Sequence, residues 1–134
     1  MRKLTLVLLI FIFIYGCRRG PSDEQLIQTT IDNWKHAMME QDLDTIMANY
    51  SEEFTSGRVN NKEEMREFMQ RAIEDGWLDY IDINTDIAQL KITDGTADYS
   101  PVEIAGDFEP MVFEMTLKKE GKRNWRIIKS APQR

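Results

Sequence analysis

The chain has 134 residues, 17 of them basic and 23 acidic, which gives a formal net charge of −6. This length fits a single domain, and the acidic balance repels phosphate backbones and therefore argues against nucleic acid as a partner. With one histidine and one cysteine, and no glycine-rich phosphate loop, the sequence predicts no metal site, no intramolecular disulfide and no cofactor.

The N-terminal segment predicts export. Arg2 and Lys3 precede an apolar run over residues 4–16. As a helix this run would reach about 20 Å, which is short of a bilayer core of about 30 Å, whereas cations followed by a short apolar run are typical of a secretory signal peptide. We therefore predict a signal peptide over residues 1–16. Its removal would leave 15 basic and 23 acidic residues, a net charge of −8.

The only cysteine lies directly after this run. Residues 14–17 resemble the lipobox of bacterial lipoproteins, in which a diacylglyceryl group is attached to the cysteine sulfur and the signal is cut before it. An ordinary thiol is the alternative, but a lone cysteine in an exported protein has no intramolecular disulfide partner. We predict lipid attachment at Cys17, a short tether over residues 17–21 and one domain over residues 22–134. The resemblance implies anchoring to the cell envelope, on the periplasmic side of the outer membrane where two membranes are present.

The first predicted helix begins at a capping box formed by Ser22 and Gln25. Apolar residues then recur at helical spacing, and they are Ile27, Ile31, Trp34 and Met38. His36 falls opposite this stripe. A solvated position is therefore favoured for the histidine over a role as general base.

Two further helices are predicted. Asp42 or Asp44 would cap a short helix that ends near Tyr50. Asn61 would cap a third, which carries apolar residues at positions 65, 68, 69, 72 and 73 and ends at the Asp75-Gly76 pair.

From Trp77 onward the apolar period changes to two, which predicts strands. A phase change near Ala88 predicts a bulge in one bent strand, and residues 94–95 predict a hairpin turn. Pro101 favours an edge position or a bulge. Further turns are predicted at residues 105–107 and 120–122, with a closing strand that begins at Trp125.

Helices first and strands afterwards predict an α+β fold with three N-terminal helices packed on a strongly bent antiparallel sheet. This order, together with residues 34–37, 42–44, 50–54 and 125–127, resembles the nuclear transport factor 2-like superfamily, which includes polyketide cyclase (SnoaL-like) and ketosteroid isomerase relatives. The resemblance covers nearly all of residues 22–130. It implies a cone-shaped sheet around an apolar pocket and, as in many members, a homodimer through the sheet.

The resemblance also implies that eight large side chains lie near the cone: Trp34, Tyr50, Phe54, Trp77, Tyr99, Met111, Phe113 and Trp125. They would either line a cavity for an apolar ligand or form an ordinary core.

Isomerase chemistry would need a carboxylate base and a donor to the developing oxyanion. Tyr50 with Asp98, or Tyr99 with Glu114, are the pairs that the sequence offers, and neither is predicted as catalytic. The leading hypothesis is a lipid-anchored binding or accessory protein with a pocket for a small apolar ligand or a sheet face for a protein partner. The alternatives are a small-molecule isomerase, dehydratase or cyclase, and a purely structural dimerisation module.

Overall fold

The computed structural model describes residues 20–133 of the chain. The predicted signal peptide and Cys17 lie outside this range, and the domain boundaries stay a prediction. The described elements, in chain order, are α1 (Asp23–Glu40), α2 (Leu43–Ala48), β1 (Tyr50–Ser56), α3 (Lys62–Glu74), β2 (Asp82–Asn84), β3 (Gln89–Thr93), β4 (Thr96–Gly106), β5 (Phe108–Lys119) and β6 (Trp125–Pro132). Within residues 20–133, no helix combines the length and apolarity needed to cross a bilayer.

The predicted start of α1 is confirmed. The Ser22 hydroxyl accepts a hydrogen bond from the Gln25 backbone N–H at 3.2 Å, and the Gln25 side chain accepts one from the Ser22 N–H at 2.9 Å. This reciprocal pair satisfies two amides that have no partner inside the helix. The predicted apolar stripe of α1 is buried along its length.

The caps of the other helices are confirmed as well. The Asp42 carboxylate accepts from the Thr45 N–H at the start of α2, and the Asn61 side chain accepts from the Glu64 N–H at the start of α3. Gly76 follows α3 with a φ of 75°, a left-handed conformation that glycine adopts without strain.

The α+β fold class is confirmed, and the sheet is mixed and curved. Its strand order is β1-β6-β5-β4-β2, with β3 also paired to β4. The strands from β2 to β6 pair in antiparallel fashion, whereas β1 runs parallel to β6. The prediction of an antiparallel sheet is wrong for β1, because residues 50–56 were not expected to form a strand and this strand, which precedes α3, runs parallel to β6.

The segment around Ala88 differs from its prediction. A turn replaces the predicted bulge, because the Ala88 N–H donates to the Thr85 carbonyl at 3.1 Å and separates β2 from β3. Both short strands pair with β4, on either side of Pro101. Pro101 itself lies where the β4–β5 register shifts, between Tyr99 and Val102, and the predicted bulge at this residue is confirmed.

Register separates the two faces of the sheet. Ala97, Leu117, Ile127 and Tyr50 are paired across four strands, and all are buried beneath the helices. The neighbouring row on the opposite face is polar and consists of Asp98, Thr116, Lys129 and Thr55. The helices therefore cover one face only.

Candidate functional site

A cavity of about 460 Å³ lies between α1, α3 and the end of the sheet where β1 and β6 finish. Helix α1 contributes Trp34 and Met38, and α3 contributes Met65, Phe68 and Met69. Its remaining lining residues come from the sheet and from the loop after β1: Tyr50, Ser56, Gly57, Arg58, Val59, Ile104, Met111, Val112, Phe113, Ser130, Ala131 and Pro132. The walls are predominantly apolar.

Trp34 and Tyr50 form the polar contact inside this cavity. The indole Nε1–H of Trp34 donates to the Tyr50 hydroxyl at 3.1 Å, and both side chains are buried. Within residues 20–133 the Tyr50 hydroxyl accepts this hydrogen bond and donates none in return. The Tyr50 phenol is protonated at neutral pH, as an ordinary tyrosine is, and burial raises its pKa further. Tyr50 can therefore donate a hydrogen bond to a bound molecule.

Aromatic packing fixes these two side chains. The Tyr50 ring meets Phe54 edge-on with centroids 4.7 Å apart, and the Trp34 ring meets Phe113 edge-on at 6.3 Å. Edge-to-face contacts of this kind hold rings in defined orientations. The walls near Tyr50 are therefore preformed.

Arg58 is the charged member of the described lining. Its loop is held in place, because the Ser56 hydroxyl accepts from the backbone N–H of Arg58 at 3.2 Å and of Val59 at 3.3 Å. Val59 is buried against the cavity, whereas Arg58 is exposed. An exposed residue that still lines the cavity lies at its mouth.

Four of the eight side chains that the resemblance placed near the cone line this cavity, namely Trp34, Tyr50, Met111 and Phe113. The other four are elsewhere. Phe54 and Tyr99 are buried in the core. Trp125 is buried at the start of α1, where its indole N–H donates to the Asp23 carboxylate at 3.2 Å.

Trp77 lies at the surface, with 53% of its side chain exposed. Its ring stacks on Phe108 at a centroid distance of 6.3 Å. The strands predicted from Trp77 onward begin only at Asp82, so Trp77 lies between α3 and β2 and not in a strand.

Helix α3 supplies three of the cavity-lining residues that sequence reasoning missed, and the others come from α1, the loop after β1 and the strands. Met65, Phe68 and Met69 carried a helical period in the sequence, which marked them as apolar helix positions without separating core from cavity. Their number was a usable signal, because a helix that supplies two thioethers and a ring at one face is suited to an irregular space.

The proposed carboxylate pairs do not meet in this cavity. Asp98 lies on the polar face of the sheet and accepts a hydrogen bond from the Thr116 hydroxyl at 3.1 Å. His36 is exposed and lies 3.9 Å from Glu40 on the outer side of α1. The part of the cavity wall that the structure describes contains no carboxylate and no imidazole, and residues 20–133 hold no cluster of three or more acidic, histidine or cysteine side chains suited to a metal ion.

Comparison with solved structures identifies the architecture. An NTF2-like protein from Pseudomonas putida KT2440 superposes with a TM-score of 0.62 at 15% identity, over 84% of this chain and 87% of that one. A candidate ketosteroid isomerase from Shewanella frigidimarina gives 0.67 at 14% identity, over 81% and 94%. This chain has the nuclear transport factor 2-like fold. The structure of Bdellovibrio bacteriovorus Bd1075 superposes with a TM-score of 0.66 at 16% identity. The match covers 81% of this chain but only 40% of Bd1075, so the likeness concerns less than half of that protein.

No family model and no curated protein sequence matches the chain. The likeness of this chain to the solved structures named above is therefore a likeness of fold.

Proposed function

We propose that this chain is a lipid-anchored envelope protein whose cavity binds a small apolar ligand. The observation that carries the proposal is the cavity of about 460 Å³ with walls built mainly from aromatic rings and thioethers. Ligand sites typically occupy about 300–1,000 Å³ and combine apolar walls with a few polar groups that orient the ligand. Tyr50 and Arg58 are such groups here, one inside and one at the mouth.

The anchoring half of the proposal rests on the sequence. A cationic start, a short apolar run and Cys17 precede the described domain, whose first helix is capped at Ser22, five positions after the cysteine. So short a tether would keep the domain close to the membrane. Replacement of Cys17 by serine should abolish lipid attachment and release the protein from the membrane fraction, and unchanged membrane association would contradict it.

An enzyme of the isomerase or dehydratase kind is the second candidate. The structural neighbours named as a candidate ketosteroid isomerase and as a candidate dehydratase from Streptomyces avermitilis favour it, as does the available donor on Tyr50. Proton transfer also needs a base within hydrogen-bond reach of the substrate. The described lining supplies a donor without such a base, and we therefore place this candidate second.

A structural module that dimerises through the sheet is the third candidate. Dimerisation through the sheet would be favoured by an apolar outer face. In this structure Asp98, Thr116 and Lys129 form a polar row across the middle of that face. Dimerisation stays a prediction, and sedimentation-velocity ultracentrifugation of the purified protein would test it.

The binding proposal is tested by closing the cavity. Ser130 and Lys129 are neighbours on β6 that point to opposite faces, because Ser130 pairs with Met115 on the buried face and Lys129 with Thr116 on the polar face. Ser130→Trp should fill the cavity, whereas Lys129→Trp adds the same side chain outside it. The full chain, in lipid nanodiscs, is exposed to an envelope extract and analysed by native mass spectrometry.

A discrete added mass in the wild type and in Lys129→Trp that is lost in Ser130→Trp is the expected result. The same mass in all three proteins would place the ligand elsewhere. No added mass in any of them would contradict the binding proposal and move attention to a protein partner.

A further inference from the structure

The charge at the mouth of the cavity is unbalanced. Within residues 20–133, the Arg58 guanidinium is in no ion pair and its side chain donates no hydrogen bond. The next cations along the chain are neutralised, because Lys62 pairs with Glu52 at 2.9 Å and Arg66 pairs with Asp44. Arg58 carries the only charge among the described lining residues, so no carboxylate of the cavity wall neutralises it.

The loop geometry gives this cation a defined place. Besides the two bonds that the Ser56 hydroxyl accepts, the Ser56 N–H donates to the Val59 carbonyl at 2.9 Å. These bonds close residues 56–59 into a tight turn at the end of β1. The Arg58 side chain therefore starts from a fixed backbone position beside the apolar walls, and a guanidinium suits a planar carboxylate because it can donate two parallel hydrogen bonds.

The size of the cavity limits the apolar part of the ligand. At roughly 30 Å³ for each water-sized group, a cavity of about 460 Å³ holds about 15 such groups. A chain of ten to a dozen methylenes with one carboxylate therefore fits this space. Met65 and Met69 line its path, and flexible thioethers adapt to a flexible chain.

We propose that the ligand of this cavity is a medium-chain alkyl carboxylate, whose carboxylate is bound by Arg58 at the mouth and whose chain packs against Met65, Met69 and Phe113. The inference rests on the proposed binding function and adds the chemical class of the ligand. The inference predicts that the cavity binds an anionic amphiphile in preference to a neutral apolar molecule of the same length.

Two photoreactive probes of equal length test the inference. One is dodecanoate with a diazirine near the end of its chain, and the other is the corresponding dodecanol. Each is added to the full chain in lipid nanodiscs and photolysed, and labelled tryptic peptides are quantified by mass spectrometry. The readout is the ratio of carboxylate to alcohol labelling on the peptides that contain Met65 and Met69, so that a probe dissolved in the lipid does not count.

Three variants accompany the wild type. Arg58→Gln removes the charge, and Arg58→Lys keeps it. Arg71→Gln removes an exposed arginine that lies on α3 outside the cavity lining. Because Arg58 is exposed and its attraction is screened by water, we expect a carboxylate preference of about fivefold in the wild type.

The preference should fall to about one in Arg58→Gln, persist in Arg58→Lys and Arg71→Gln, and decrease as salt is raised. Unchanged alcohol labelling in Arg58→Gln would show that the cavity is intact. Equal labelling by both probes in every variant would overturn the inference that the ligand is an alkyl carboxylate, and it would leave the proposed binding function standing. Absence of labelling on these peptides with either probe would overturn both.

Discussion

The Trp34–Tyr50 hydrogen bond makes the structure directly testable. Tyr50→Phe removes the hydroxyl and leaves the ring against Phe54. Because it leaves the buried Trp34 N–H without its acceptor, the substitution costs about 1–3 kcal/mol and not merely the roughly 1 kcal/mol net value of an average hydrogen bond. Trp34 is only 1% exposed, although it borders a cavity that water can enter. We therefore expect a loss of about 2 kcal/mol in the free energy of unfolding, within that range.

A double-mutant cycle isolates the bond from the volume change. Urea unfolding is followed by far-ultraviolet circular dichroism for Tyr50→Phe, Trp34→Phe and the double variant. In the Trp34→Phe background the indole N–H is absent, so Tyr50→Phe leaves no buried donor without an acceptor. The double variant should therefore be more stable than the sum of the two single losses predicts. We expect a coupling of about 1 kcal/mol. A coupling below about 0.3 kcal/mol, the level at which independent sites add, would refute the bond.

Three other outcomes are expected. Phe54→Ala should lose about 3–5 kcal/mol of unfolding free energy, because it empties a fully buried site. Trp77→Ala should lose only about 1 kcal/mol, because the Trp77 ring is half exposed and makes one stacking contact. The hydrogen bond from Lys119 holds the pKa of the Asp23 carboxyl below its ordinary 3.8. The stability that the ionised carboxylate contributes is therefore present above pH 3.8 and is lost as the pH falls through the lowered pKa. The stability of Asp23→Asn should accordingly depend less steeply on pH in acid. Burial raises the pKa of Tyr50 above 10.0, so stability should decrease above pH 10, where the unfolded phenol ionises, and less so in Tyr50→Phe.

Each of these expectations has a contrary result. Similar losses for the two aromatic substitutions in urea would contradict their different burial. Identical acid-unfolding curves for wild type and Asp23→Asn would show that the carboxylate does not contribute through its charge. Thermal unfolding that is equally sensitive to alkali with and without the Tyr50 hydroxyl would contradict its burial as a neutral phenol.

Local signals in the sequence predicted the helices well because their causes are local. Ser22 and Asn61 satisfy amides only three residues away, and the stripe of α1 depends on helical periodicity alone. The parallel pairing of β1 with β6 joins Tyr50 to Ile127, and nothing near either residue specifies that direction.

The site was predictable only in part for the same reason. The resemblance placed eight large side chains near the cone, and their size does not distinguish a core residue such as Phe54 or a surface residue such as Trp77 from a residue of the cavity wall. Arg58 was not singled out, because its importance comes from a cavity wall to which the first half of β5 and the end of β6 contribute, both distant from Arg58 in the chain. Placement of a charge beside an apolar space is a property of the assembled fold.

The position of β6 also bears on how the protein is made. Among the described strands, β6 is the sole sheet partner of β1, and it lies between β1 and β5. During synthesis from the N-terminus, β1 therefore waits for residues 125–132 before it can join the sheet, and long waits of this kind slow folding. For a chain that is exported as we propose, the residues of β6 that line the cavity would cross the membrane last, so the cavity would be completed only after they emerge on the far side.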